Sequence, residues 1–516
     1  MKTTLRRTLA ATAASAVAAA GTLAMTASPV AAAAADGGAK PVRTPFAFQA
    51  NTSASRLVVD GIEPLALRLG ATTLRCTQVA NAPAQERGIL TEQFEAALPE
   101  EVREIINSGP LSTSSRSYTA NGGRLHVSES VSRLAGLELG GIPIDGFGTL
   151  PRLELGTVVS KAIAQHSKSG GYSARTDFSL LDFDLDLGDN PVTPQLQPIL
   201  DLLEQVEAGA APVSALLAEV EKALLSAGGL VIPNLGALQL RGFVERDDNR
   251  GALAAARPLT FVVDPDGPIT KDAQGNVTGG DDWAQTAVEL GRARAAIGGP
   301  VYGTVFRSHS VPLSVSLLGL EPLTFQSDTP AVLPCQGTGG QWVTRNHAIG
   351  SLLTQLGVIS VGGAKSMYKG EHFARGRVVK GRVTNQPWSR GVMRTDVGEI
   401  SIPFAGLTLT DLTTEVAVNT RKLIKVKNQP LRTYVQRATV AGKVKLGDQV
   451  LPLPVVGKPL EFTFGNGGEG ILAALPSGTG RLGRAYKPLV LKLIAPGFDV
   501  LTMRIGEANI FAKQKG

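Results

Sequence analysis

Hydrophobic and polar residues alternate along much of this chain, which is the pattern of a strand with one buried face. Between Leu181 and Leu187 the odd-numbered positions are apolar and the even-numbered positions are aspartate. Segments 423–427, 440–446 and 500–505 alternate in the same way. Because the chain is rich in Gly, Thr, Val and Leu, we predict a mainly β protein with many short strands and turns.

Helical spacing of apolar residues is confined to fewer places. The strongest run, 195–227, is divided by Gly209 and Pro212. It predicts a pair of helices, because glycine commonly ends a helix and proline commonly begins one. A third helix is predicted over Asp282–Ile297, which opens with acidic residues and closes at two glycines.

Short sequences recur in the two halves of the chain at a nearly constant offset. Gly61–Leu65 is matched by Gly319–Leu323, and Phe48 and Phe306 are separated by the same number of residues. We therefore predict two tandem homologous β-rich domains, each sandwich-like or built on an elongated sheet. The helical pair has no counterpart in the second copy and is interpreted as an insertion in the first.

The duplication and the N-terminal sequence together set the expected organisation. Residues 1–35 combine a basic head, an Ala-rich apolar stretch and A-x-A sites, as in a cleaved export signal. Residues 36–250 are the first domain, residues 251–299 a turn-rich linker with a helix, and residues 300–516 the second domain. No later apolar run approaches the roughly 18 residues of a spanning helix. We expect a secreted protein, extracellular or loosely associated with the cell wall, without a membrane span.

The chain has two cysteines, Cys76 and Cys335, and they follow the repeated motif at matching positions. In an oxidising compartment they could form a disulfide across an interface between two domains related by a pseudo-two-fold axis. The alternative is one buried thiol in each domain. Sequence alone leaves both open, because it does not give the Cα–Cα separation.

Charge is divided unevenly along the chain. Residues 46–245 carry 14 Lys and Arg against 23 Asp and Glu, whereas residues 361–445 carry 16 against 5. The basic candidates for binding are Lys365, Lys369, Arg375, Arg377, Lys380, Arg382, Lys425 and Lys427. By charge, an anionic cell-wall polymer is a suitable partner. Nucleic acid is not, because the protein is exported and has few aromatic residues to stack on bases. The alternatives are solvated faces that differ in charge without a partner, or two domains of opposite charge that attract each other.

Residues that could perform catalysis do not form a recognisable set. The histidines are scattered, and none has another His or Cys at metal-ligand spacing. Neither a G-x-S-x-G elbow nor a P-loop occurs. The G-x-G-x-x-G spacing at 465–470 is followed too soon by Pro476 for the helix that a dinucleotide site requires. We expect no cofactor, and whether the protein is an enzyme stays open.

One acidic row suggests a metal site. Asp182, Asp184 and Asp186 resemble the first half of a calcium loop, in which alternate carboxylates supply oxygen ligands. The apolar residues between them are instead typical of a strand, on which successive side chains of one face lie about 7 Å apart. A calcium site and an exposed strand face are therefore both hypotheses for this segment.

Two segments, Thr157–Ala162 and Arg504–Ala508, resemble elements of exported actinobacterial surface proteins of the choice-of-anchor and LAETG-anchored types. The resemblance implies an envelope protein and supplies no catalytic residues. The chain departs from that group because it has no LPxTG-like signal and no hydrophobic C-terminal tail.

These features predict an exported, non-catalytic binding or structural protein of the cell envelope, whose basic second domain contacts an anionic wall polymer. Two other functions stay open. An extracellular hydrolase of wall polysaccharide would need two carboxylates about 5–9.5 Å apart across a cleft. A carrier of a lipid or small apolar ligand would need an apolar cavity. The oligomeric state is not predicted.

Overall fold

The computed structural model describes residues 40–513 with interruptions, the longest at 96–102, 264–269, 279–285, 318–323, 348–358 and 422–431. The predicted signal peptide lies outside the described residues, as does the repeated motif apart from Glu63 and Pro64. Strands account for 68% of the structure and helices for 10%, which confirms the predicted mainly β fold.

The first half of the chain supplies the strands of two sheets and several short hairpins. In chain order these strands are Val42–Val59 (β1), Glu63–Pro64 (β2), Arg68–Leu69 (β3), Thr72–Ala80 (β4), Gln85–Ile89 (β5), Ile106–Ser108 (β6), Leu111–Ala120 (β7), Leu125–Gly140 (β8), Pro143–Ile144 (β9), Gly148–Thr149 (β10), Arg152–Ser167 (β11), Gly171–Leu180 (β12), Phe183–Asp186 (β13), Leu230–Ile232 (β14), Gly236–Leu240 (β15), Val244–Asp248 (β16), Gly251–Ala256 (β17), Leu259–Val263 (β18), Thr270–Lys271 (β19), Val277–Thr278 (β20) and Thr286–Gly298 (β21).

The second half supplies a similar set. Its strands are Val305–Leu317 (β22), Thr324–Gln326 (β23), Val343–His347 (β24), Ser360–Val361 (β25), Ala364–Phe373 (β26), Arg377–Val379 (β27), Arg382–Thr384 (β28), Trp388–Val397 (β29), Ile400–Ile402 (β30), Leu407–Arg421 (β31), Arg432–Leu446 (β32), Gln449–Leu451 (β33), Leu460–Phe464 (β34), Gly468–Ala474 (β35), Gly478–Gly480 (β36), Gly483–Tyr486 (β37), Leu489–Ala495 (β38) and Phe498–Lys513 (β39).

Helices are few among the described residues. They are Thr91–Glu95 (α1), Gln197–Glu207 (α2) and Val213–Leu225 (α3), with single 3-10 turns at Asn121–Gly123 and Pro403–Ala405. The helices α2 and α3 are the pair predicted within 195–227. In α3 the buried residues Leu216, Val220 and Leu224 are four apart, so one face of the helix packs on the apolar core of the first half.

Each half is a sandwich of two antiparallel sheets. In the first half, sheet I has the order β14-β15-β18-β21-β1-β3 and sheet II the order β12-β11-β8-β7-β5. Small polar side chains allow the two sheets to approach closely. The hydroxyl of Ser128 donates to the Gln49 carbonyl at 2.8 Å, and that of Ser130 to the Arg294 carbonyl at 2.7 Å. These buried hydroxyls are satisfied by the opposite sheet.

The second half repeats this strand order. Sheet III runs β34-β35-β38-β39-β22-β23 and sheet IV runs β24-β26-β29-β31, with β32 also paired to β31. When sheet I is counted from β14 and sheet III from β34, the strands of the two sheets follow one another in equivalent order. Strands β1 and β22 occupy the same position in this order, and Phe48 on β1 and Phe306 on β22 are both fully buried. Common strand order is what a tandem duplication would produce, and the duplication itself stays a prediction.

The helix predicted over Asp282–Ile297 is wrong, because residues 286–298 form strand β21. Ala293, Ala295 and Ile297 are buried while Arg294 between them is partly exposed, so the burial has a period of two. Residues 251–299 are also not a linker. They contain β17, β18 and β21, and β21 pairs with β1 along most of its length in sheet I.

The two halves are held together by covalent and polar contacts. Cys76 and Cys335 form a disulfide with their Cα atoms 5.5 Å apart, so the structure contains the bridged alternative. Beside it, the Arg307 guanidinium donates two hydrogen bonds to the Cys76 carbonyl, at 3.0 and 2.9 Å. The Gln78 amide donates to the Val301 carbonyl at 3.2 Å. Strand β2 of the first half also pairs with β23 of the second.

Candidate functional site

The outer surface of sheet IV carries the described part of the predicted basic region. Strand β26 alternates, so Lys365, Lys369, Glu371 and Phe373 share its solvent side, while Ser366 is buried against sheet III. The neighbouring strand β29 extends this surface, because its residues pair with those of β26 in antiparallel register.

Aromatic rings lie at two positions on this surface. Phe373 stacks on Trp388, its cross-strand partner, with ring centroids 3.9 Å apart and planes at 8°. Trp342 precedes β24, and the ammonium of Lys369 lies 4.4 Å from its ring centroid. The Trp342 side chain keeps 43% of its surface exposed. Stacked rings and a cation over a ring are both favourable contacts.

A charged pair lies between the two ring positions. Arg390 donates to one oxygen of Glu371 from Nε at 3.2 Å and from Nη2 at 3.0 Å. The Arg390 guanidinium carbon is also 5.7 Å from the Phe373 ring centroid. We refer to these side chains as the aromatic–basic face. It comprises Trp342, Lys369, Glu371, Phe373, Trp388 and Arg390.

Lys365, a predicted polymer-binding residue, is already paired within the protein. Its ammonium lies 3.7 Å from Asp396. The same carboxylate accepts a hydrogen bond from Arg394 at 2.8 Å and one from the Thr413 hydroxyl at 2.9 Å. The hydrogen bond to Asp396 raises the pKa of Arg394. Lys365 therefore contributes less net positive charge to the surface than its place in the sequence suggests.

Most of the other predicted basic residues fall in two connections. Arg377 and Arg382 lie in the hairpin β27–β28, with backbone positions described and side chains not, and Arg375 and Lys380 lie outside the described residues. Lys425 and Lys427 also lie outside the described residues.

Both connections leave the same end of sheet IV. Strand β26 ends at Phe373 and β29 begins at Trp388, while β31 ends at Arg421 and β32 begins at Arg432, its pairing partner. The connection 374–387 contains four basic residues and 422–431 contains three, and neither contains an acidic residue. We call these two connections the basic end of sheet IV. The aromatic–basic face reaches it at Phe373 and Trp388.

The acidic row has a local structural role. Strand β13 alternates as the strand hypothesis predicts, with Phe183 and Leu185 buried and Asp184 and Asp186 exposed. Asp182 accepts a hydrogen bond from the Phe183 amide at 2.9 Å, and Asp186 accepts one from the Gly188 amide at 2.8 Å. In the described part of the chain, no group of three or more His, Cys, Asp or Glu side chains could hold a metal ion.

Two histidines that the sequence left without partners have them in the fold. His347 lies 2.8 Å from the Ser366 hydroxyl, which in turn is 2.7 Å from the hydroxyl of Ser310. Ser310 and Ser366 are both fully buried, so the His347–Ser366 pair is not accessible to a substrate. His372 lies between the carbonyls of Tyr302 and Cys335, at 3.2 and 3.3 Å. Burial lowers the pKa of His372 to about 4.

Neither a protein-family model nor a curated protein matches this chain. Within the described residues, no helix has the length and apolar character needed to cross a membrane.

Proposed function

We propose that this protein is exported and acts without catalysis at the cell envelope, where its second half binds an anionic wall polymer. The observation that carries this proposal is the basic end of sheet IV, where two connections rich in Lys and Arg leave one end of one sheet. Charges that are dispersed in the sequence would then act on the same stretch of polymer.

Electrostatics favours a partner with repeated negative charge. Seven cations without an acidic residue attract such a polymer through many weak contacts. A Lys or Arg near an anionic surface contributes about 1 kcal/mol, as measured for lipid surfaces. Several together are sufficient for retention, although exposed charges are screened beyond about 8 Å at physiological salt.

The disulfide supports the extracellular part of the proposal. Cys76 and Cys335 are the only cysteines, and they are joined across the two halves. Disulfides of this kind persist in oxidising compartments and are rare in reducing ones. This is in keeping with the export signal expected in residues 1–35.

Co-sedimentation of the secreted protein with purified cell walls, before and after removal of their anionic polymers, tests the proposal. Binding should be lost on stripping and weakened by Lys425→Gln with Lys427→Gln. The matched control is Lys443→Gln with Lys445→Gln, which removes two exposed lysines near the other end of β32. Equal binding to stripped walls, or equal losses in the two double variants, would contradict the proposal.

A further inference from the structure

The aromatic–basic face has a composition that electrostatic attraction alone does not require. The chain contains only 3 tryptophans, and two of them, Trp342 and Trp388, lie on this one surface. Binding of a simple polyanion would need cations, not rings. Aromatic side chains left on the solvent side of a sheet commonly mark an interaction site.

The rings and charged groups are arranged in a line along β26. Lys369, Glu371 and Phe373 succeed one another on the outer face, so neighbours are about 7 Å apart. Trp342 lies beside the first of these residues and Trp388 beside the last. Two ring positions are therefore about 13 Å apart along the strand, with a carboxylate and its guanidinium partner between them.

This order of groups fits a chain of sugars. A sugar ring has an apolar C–H face that can pack on an exposed aromatic ring such as Trp342. Its hydroxyl groups both donate and accept hydrogen bonds. Glu371 is an acceptor and Arg390 a donor at the position between the rings. The pair is also a charge-assisted one, so its groups are held in place before a ligand arrives.

Charge decides which sugars fit. The ammonium of Lys369 and the guanidinium of Arg390 favour a ligand with negative groups. The Glu371 carboxylate within the face disfavours a dense run of phosphates, because like charges repel, yet it can accept hydrogen bonds from hydroxyls. The combination favours a ligand whose charges are separated by neutral hydroxylated rings.

We propose that the aromatic–basic face binds the sugar rings of an acidic polysaccharide, with Trp342 and the Phe373–Trp388 pair as stacking positions. This inference rests on the proposed function and names the chemical class of the polymer. It assigns to Lys369 and Arg390 the contacts with the acidic groups, and to Glu371 the contacts with hydroxyls.

Tryptophan fluorescence of the full chain provides the binding assay, with polygalacturonate as the acidic glycan and inorganic polyphosphate as the non-sugar polyanion. Trp342→Ala should weaken polygalacturonate binding at least about fivefold, because a stacking contact is lost. Trp342→Phe retains a ring and should retain most of the affinity. Polyphosphate binding should change little in either variant.

Phe404→Ala is the matched control, because Phe404 is 41% exposed and lies just before β31, at the other end of sheet IV. It should leave both affinities unchanged. Binding of polyphosphate without polygalacturonate would overturn the glycan inference and leave the proposed function standing. Equal effects of Trp342→Ala and Phe404→Ala would overturn the assignment of the face. Binding of neither polyanion would count against the proposed function itself.

Discussion

The two sandwiches share a strand order but differ in the connections at one end. In the first half β7 and β8 are joined by residues 121–124, and β11 and β12 by residues 168–170. The corresponding connections of the second half are 374–387 and 422–431, which are longer and hold seven basic residues. The comparison indicates that a common scaffold acquires a different surface chemistry through its loops.

The outer faces of the paired sheets differ in a second way. On sheet II, Glu129 is only 3% exposed and accepts contacts from Arg116 at 2.7 Å and Lys161 at 3.2 Å. The Tyr118 hydroxyl donates to the same carboxylate at 3.3 Å. The charged and hydroxyl groups of this cluster therefore contact one another on the surface of the sheet. On sheet IV the ring-bearing side chains and Arg390 remain partly exposed, so that face is available to a ligand.

Replacing the second-half connection 374–387 with the first-half turn Asn121–Arg124 should have the largest effect. Wall binding should fall by at least about 100-fold, because four cations are removed and one, Arg124, is introduced, a net loss of three at about 1 kcal/mol each. Among described strands, β27 and β28 pair only with each other, so sheet IV should remain intact. Sedimentation measures the binding, and an unchanged thermal transition serves as the control. Unchanged wall affinity would contradict the proposed functional difference between the connections of the first half and those of the second.

Removing the disulfide should loosen the connection between the halves. With both Cys76 and Cys335 changed to Ser, we expect a loss of about 2–4 kcal/mol in the free energy of unfolding, since the bridge closes a long loop. Calorimetry of the variant and of the reduced wild-type protein should agree. Unfolding that is as stable and as cooperative as in the oxidised wild type would show that non-covalent contacts alone hold the halves together.

His372 should make the second half sensitive to acid. Its folded pKa is lowered to about 4, so the unfolded chain binds the proton more readily, and stability falls as the pH drops from about 6.5 to about 4. The change should reach about 2–3 kcal/mol. Urea unfolding of His372→Gln at pH 7 and pH 4 should show a smaller acid loss than wild type. The same loss in both would mean that the ring does not carry the effect.

The smallest effect on stability is expected from the two ion-pair clusters, one around Glu129 on sheet II and one around Asp396 on sheet IV. Glu129→Gln should cost about 1–2 kcal/mol, because it removes a shielded charge between two cations. Asp396→Asn should cost less, since Asp396 is more exposed at 16% and its partners are about half exposed. Denaturant midpoints measured side by side would rank them. A larger loss of stability for Asp396→Asn than for Glu129→Gln would contradict this ranking of the two clusters.

The sequence predicts the fold class better than the site. Strand β13 follows directly from its alternation, and the helical pair from its spacing and from Gly209 and Pro212. The segment of strand β21 was predicted as a helix from its acidic start and its two closing glycines, whereas pairing with β1 decides its conformation.

The aromatic–basic face could not be found from one-dimensional spacing alone. Trp342, Lys369 and Trp388 lie on three separate segments, and only the register of β24, β26 and β29 brings them together. The alternation of Lys369, Glu371 and Phe373 was the one local signal that these side chains share a face. Charge counting also gave no sign that Lys365 is paired with Asp396, because that pairing depends on the same register.

Lysine footprinting on purified walls tests most directly whether the basic end of sheet IV is the binding surface. The full chain, free and wall-bound, would be treated with an amine-reactive reagent and mapped by mass spectrometry. We predict protection of Lys380, Lys425 and Lys427, with Lys168 in the first-half turn and Lys443 on β32 unchanged. Uniform protection of all five lysines, or protection of Lys168 alone, would contradict the proposed division between the two halves.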